Sequence, residues 1–111
     1  MDIQEAEEGR VTVIAVNGRI DSSNAIDFGN RLRALYAAPG RRILLDLQQL
    51  EYISSAGFRT LLIAVRRAAE TGGMLTLCGL TERVRGLFDM GGFLNTFAIK
   101  PTRQDGLSSL A

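Results

Sequence analysis

The chain has 111 residues, with 13 Lys+Arg against 12 Asp+Glu for a formal net charge of +1, and 46% of its residues are hydrophobic. That length suits one domain with one core, and the near-neutral balance gives no electrostatic pull toward nucleic acid or an anionic membrane. There is no histidine and one cysteine, Cys78, which excludes imidazole bases, His-dependent triads, intrachain disulfides and multi-thiolate zinc sites.

The opening MDIQEAEEGR is acidic and polar, unlike a secretory signal with its basic and apolar regions. No apolar run approaches the roughly 18 residues a membrane helix needs. A cytoplasmic protein without membrane insertion is expected. Ile3 to Glu7 is a first strand segment, turned back at Gly9 onto Val11–Val16, a β-rich run that ends at the turn signal Asn17-Gly18. A helical pattern follows, with Ala25, Phe28, Gly29, Leu32, Leu35 and Tyr36 on one face. Asp21 to Asn24 offers N-caps for it. After Pro39-Gly40, Arg42–Leu47 is nearly continuous in apolar residues, as in a strand covered on both faces. Gln48 to Gly57 is expected to be a loop.

The second helical face carries Phe58, Leu61, Leu62, Val65, Ala68 and Ala69; Ser54 or Ser55 can cap it, and Gly72-Gly73 ends it. Met74–Cys78 is the next strand. Thr81 opens a third helix bearing Val84, Leu87 and Phe88, and Phe97–Ile99 is a short last strand. Thr102 to Ala111 is expected to hold one helical turn or to fray. The order β-β-α-β-α-β-α-β predicts an α/β domain: a mixed, mainly parallel sheet of about five strands with three to four helices. The domain spans 1–111, with a core of about 3–100 and a tail of 101–111. In such a sheet the loops 18–24 and 48–57 gather at one rim, where ligand and partner sites are found.

The most informative segment is Tyr52-Ile53-Ser54-Ser55-Ala56-Gly57, with two hydroxyls where a loop enters a helix. Free backbone N–H groups and the helix dipole favour an anion there, so a phosphoryl group would be tolerated; equally, both serines can simply be caps. Asp21 reads as a cap, and Asp46 either as a strand-end cap or as part of an acidic rim. These two carboxylates are too few for a metal site. Arg59, Ile63, Arg66 and Arg67 fall off the apolar face of the second helix, forming either a solvated basic face or a docking surface. Cys78 reads as a small core residue. The glycines form no nucleotide-binding fingerprint. No cofactor, metal or catalytic residue is expected, and a serine-nucleophile enzyme would lack a base, with Lys100 the only lysine.

Four motifs lie in register with a known family. Gly18-Arg19-Ile20-Asp21-Ser22-Ser23-Asn24-Ala25 resembles the G-x-[LI]-D-x-x-x-[AS] segment of STAS domains. Leu50 to Arg59 resembles their signature loop, D-S-[ST]-G-[LF] or S-S-A-G-[LF]-R, and Leu77–Leu80 and Val84–Phe88 resemble the stretches around the fourth strand and third helix. The resemblance spans roughly residues 3 to 100. It implies an anti-sigma factor antagonist that works by partner switching. The unphosphorylated form would bind an anti-sigma factor that is also a serine kinase; that kinase would phosphorylate the signature loop, and a metal-dependent serine phosphatase would reverse it. The family's acceptor position falls on Ser55, while Ser54 stands where the pattern has aspartate. Asp21, Ser54, Ser55, Gly57, Arg59 and Ile63 are the implied partner-binding residues. STAS domains also serve as constitutive scaffold subunits of transport or lipid-trafficking complexes, which is the alternative.

Overall fold

A computed structural model describes residues 1–111. In chain order it contains β1 (Asp2–Glu8), β2 (Val11–Ile20), α1 (Ala25–Leu35), β3 (Arg42–Asp46), β4 (Leu50–Ile53), α2 (Ser55–Glu70), β5 (Met74–Cys78), α3 (Glu82–Met90), β6 (Ala98–Lys100) and α4 (Arg103–Leu110). The sheet has six strands in the order β1-β2-β3-β5-β6, with β4 paired to β2 off that path. The β1–β2 pair is antiparallel and every other pairing is parallel.

The alternation of side chains along the strands divides the interior in two. Ile14, Val16, Ile43, Leu45 and Leu77 point into the main core, which α1, α2 and α3 cover with Phe28, Leu32, Phe58, Leu61, Val84 and Phe88. Val11, Val13, Leu44 and Cys78 point to the opposite face and meet Leu110 of α4.

Two expectations need correction here. Asn17-Gly18 does not end the second strand. Gly18 adopts φ +100°, a conformation that favours glycine, and the register shifts between Gly18 and Arg19. This bulge bends the strand instead of stopping it. After Ala15 β2 leaves β3, and from Gly18 onward it pairs with β4, so Ile20 faces Ile53. The sheet therefore gains a sixth strand inside the segment expected to be a loop. The four residues Leu-Glu-Tyr-Ile are too short and mixed to announce themselves, and only Leu50 and Ile53 are buried. The C-terminal segment is the second correction. It forms eight helical residues rather than one turn, capped by Thr102 and pinned by buried Leu110.

Candidate functional site

The turn after β2 and the turn after β4 leave the sheet side by side, because Ile20 and Ile53 share a register. The Ser54 N–H donates to the Ile20 carbonyl at 2.9 Å, which locks the two exits together. Ser54 then has extended backbone (φ −89°, ψ 174°), and its Oγ accepts the Gly57 N–H at 3.3 Å. It is the N-cap of α2. Ser55 is the first helical residue; it is exposed and takes no part in the cap. The two adjacent serines thus have different environments: one hydroxyl is engaged by the backbone, the other faces solvent.

The start of α2 is held firmly. A Cβ at Gly57 would lie 2.6 Å from Ile53 Cγ1 and 2.9 Å from Ile20 Cγ2. Only glycine lets the first helical turn sit this close to the strand ends. Phe58 stacks on Phe93 at 4.7 Å between ring centroids and meets Phe88 edge-on at 4.8 Å. Thr60 Oγ1 donates to the Ala25 carbonyl at 3.2 Å, joining α2 to the first turn of α1. Exposed Ser55 is therefore carried on an anchored turn, and no acidic side chain lies in that turn. Arg59, exposed, is one turn further along, and Ile63 follows one turn after that.

Asp21 sits in the adjacent turn, but it is not the cap of α1. Asn24 is the N-cap residue, and its side chain accepts from the Asp21 N–H at 2.9 Å rather than from the helix. The Asp21 carboxylate accepts both the N–H and the hydroxyl of Ser23. Those donors hold its pKa below the usual carboxylate range, so a fixed negative charge stands in the turn next to that of Ser55. Nearby, the Arg19 guanidinium lies 4.4 Å over the Tyr52 ring, across the β2–β4 pair.

Asp46 does not join this rim. It lies opposite Ala15, five residues before Ile20 on β2, and on the same sheet face as α4. Its Oδ2 is 3.3 Å from Arg103 and its Oδ1 accepts the Gln48 N–H at 3.1 Å. Of its two readings, the structure supports the strand-end cap. Gly57 is buried and seats the helix against the strand ends. Asp21, Ser54, Ser55, Arg59 and Ile63 are brought to one end and one side of the domain. No group of three or more Asp, Glu, Cys or His residues is placed to hold a metal ion.

A groove of about 720 Å³ runs between α1 and α2, and Ser22 and Ala56 line it near the Ser55 end. The sequence reading found its α2 wall and missed its α1 wall. The available signal was Ile26, an apolar residue off the Ala25–Phe28–Leu32 face, which stands 75% exposed.

The family model described as STAS domain matches residues 2–106. The chain belongs to the STAS domain family. Over 92 residues it is 36% identical to a Bordetella bronchiseptica protein that carries the name anti-sigma factor antagonist BtrV, covering 83% of this chain and 79% of that one. Among solved structures, this STAS domain superposes with a TM-score of 0.85 on TM1081 of Thermotoga maritima, named as an anti-sigma factor antagonist. The identity is 18%, with 97% of this chain and 93% of that one covered. It also superposes on the Bacillus cell fate determinant SpoIIAA in its phosphorylated form, with a TM-score of 0.73 and 17% identity over 99% of this chain and 100% of that one. Membership in this family agrees with the expectation of a binding regulator rather than an enzyme. No helix of this STAS domain is long and apolar enough to cross a membrane.

Proposed function

We propose that this STAS domain is an anti-sigma factor antagonist that switches partners through phosphorylation of Ser55. The observation that carries the reading is the exposed Ser55 at the first position of α2, beside a neighbouring serine already used as the cap. When Ser55 is unmodified, the face made by Asp21, Ser54, Ser55, Arg59 and Ile63 binds an anti-sigma factor that is a serine kinase. A phosphoryl group brings a charge of about −1.5 to −2. The helix dipole and free N–H groups of the first turn stabilise it locally, so the domain stays folded. The cost falls on the bound partner, which must accommodate a bulky dianion where a hydroxyl stood. A serine phosphatase resets the switch, and the working compartment of such a regulator is the cytoplasm.

The test measures affinity for a candidate anti-sigma factor kinase from the chain's own organism. Ser55→Ala should bind like the unmodified protein and resist phosphorylation. Ser55→Asp should bind at least about tenfold more weakly, a change of about 1.4 kcal/mol. Equal affinities for both variants would refute the switch, and stable copurification with a transport ATPase without phosphate on Ser55 would favour the scaffold alternative.

A further inference from the structure

The geometry points to the α1–α2 groove as the seat of an acidic amphipathic helix belonging to the protein partner. This rests on the reading that a partner docks at the Ser55 end of α2, and it specifies the chemistry of that partner.

Each wall of the groove carries one large exposed apolar side chain: Ile26 of α1, 75% exposed, and Ile63 of α2, 56% exposed. Exposed isoleucines are ordinary singly. One on each wall of a groove that Ala25, Gly29, Ala56 and Ala64 also line, they give it an apolar floor and rim. Arginines flank it: Arg33 on α1 and Arg59, Arg66 and Arg67 on α2. None of the four forms an ion pair within the chain, whose ion pairs involve Arg31, Arg41 and Arg103 instead. Glu70 is the only acidic side chain lining the groove. Four arginines against one glutamate leave a local charge of +3, whereas the whole chain carries +1.

The spacing sets the shape of the occupant. Ile26 and Arg33 are seven residues apart on α1, while Arg59, Ile63 and Arg67 recur every four residues on α2. Both walls thus present outward stripes along the helix direction. From Arg59 to Arg67 the wall extends about 12 Å, which suits a partner helix of two to three turns. Its apolar face would meet Ile26 and Ile63, and its carboxylates would meet the arginines; helix-in-groove docking works in this way. The groove ends beside Ser55, so a phosphate there would stand at one end of an acidic occupant and repel it. The stripe and the switch then act on the same bound segment.

The test uses the full-length ¹⁵N-labelled chain and two synthetic helical peptides that share one leucine stripe. One carries Glu at its remaining exposed positions, the other Lys. The Glu peptide should shift the amides of residues 26–33 and 59–67 and bind at least about tenfold more tightly than the Lys peptide. Arg59→Glu and Arg66→Glu, both at exposed positions, should each lower the Glu-peptide affinity by about two- to fivefold. Circular dichroism verifies that these variants remain folded. Equal binding of the two peptides, no binding of either, or shifts centred elsewhere would overturn the assignment. So would concentration-dependent shifts of the same amides without peptide, which would make a second copy the occupant. Failure of Ser55→Asp to weaken kinase binding, with the peptide preference intact, would instead count against the switch and leave the groove standing.

Discussion

Replacing each of the paired serines separates structure from switching. Ser54→Ala removes the acceptor of the Gly57 N–H and leaves a helix-start donor without its side-chain partner. Loss of an N-cap costs about 0.5–2 kcal/mol. The 3.3 Å separation is at the long end for an N–H···O bond, so the lower half of that range applies, about 0.5–1 kcal/mol. For a domain of this size each kcal/mol moves Tm by about 4 °C, giving an expected fall of about 2–4 °C. Ser54→Asp keeps an oxygen acceptor at the cap and adds negative charge beside the helix start, so it should match or exceed the parent stability. Ser55→Ala removes an exposed hydroxyl outside the cap and should leave Tm within about 1 °C, since exposed substitutions cost little. Urea and thermal unfolding followed by circular dichroism read all three. If Ser55→Ala destabilised as much as Ser54→Ala, or Ser54→Asp were as unstable as Ser54→Ala, the assignment of roles would be wrong.

Gly57→Ala places a methyl group within 3.0 Å of both Ile53 and Ile20; the strain of overpacking should cost about 1–3 kcal/mol, seen as a Tm lowered by about 4–12 °C. The Cys78 thiol, pushed up to about 12 mainly by burial and then by Asp46, should be inert to a disulfide reagent at pH 8 in the native state and react once the chain is unfolded. Its neutral form is favoured by folding, so its stabilising contribution is intact below the unfolded thiol pKa and disappears as pH rises toward 12. Chemical denaturation should therefore show a smaller stability loss above pH 9 in Cys78→Ala than in the parent, and parallel pH profiles would contradict the burial argument. Leu110→Ala loosens the contact of α4 with Val11, Val13, Leu44 and Cys78. It should lower stability by up to about 2–5 kcal/mol and speed the reaction of Cys78 in native buffer.

The elements with strong periodicity were legible from the residues alone. Phe28 and Leu32 marked α1, Phe58, Leu61 and Ala68 marked α2, and all five are buried. The apolar runs at Arg42 and Met74 marked two strands, which the structure pairs in parallel. What stayed hidden depends on tertiary context. Leu50–Ile53 becomes a strand because β2 bends at Gly18 and offers it an edge, and Asn17-Gly18 resembles a turn whether or not such a partner exists. The eight residues of α4 have a weak helical pattern, and its contacts with the back of the sheet give it a fixed place. At the site, two serines before a helix announced a cap without saying which hydroxyl would serve. The backbone at Ser54 decides that, by turning its Oγ toward Gly57. Asp46 looked like a companion of Asp21 because both stand near strand ends. Strand parity instead sends it to the α4 side, where Arg103 holds it.

Installing phosphoserine at position 55 and titrating that protein against the proposed anti-sigma factor kinase by calorimetry tests the proposed switch most directly. The account predicts a native fold, a Tm equal to or above that of the unmodified chain, and affinity reduced by at least about tenfold, or 1.4 kcal/mol. Unchanged affinity with phosphate demonstrably on Ser55 would contradict it.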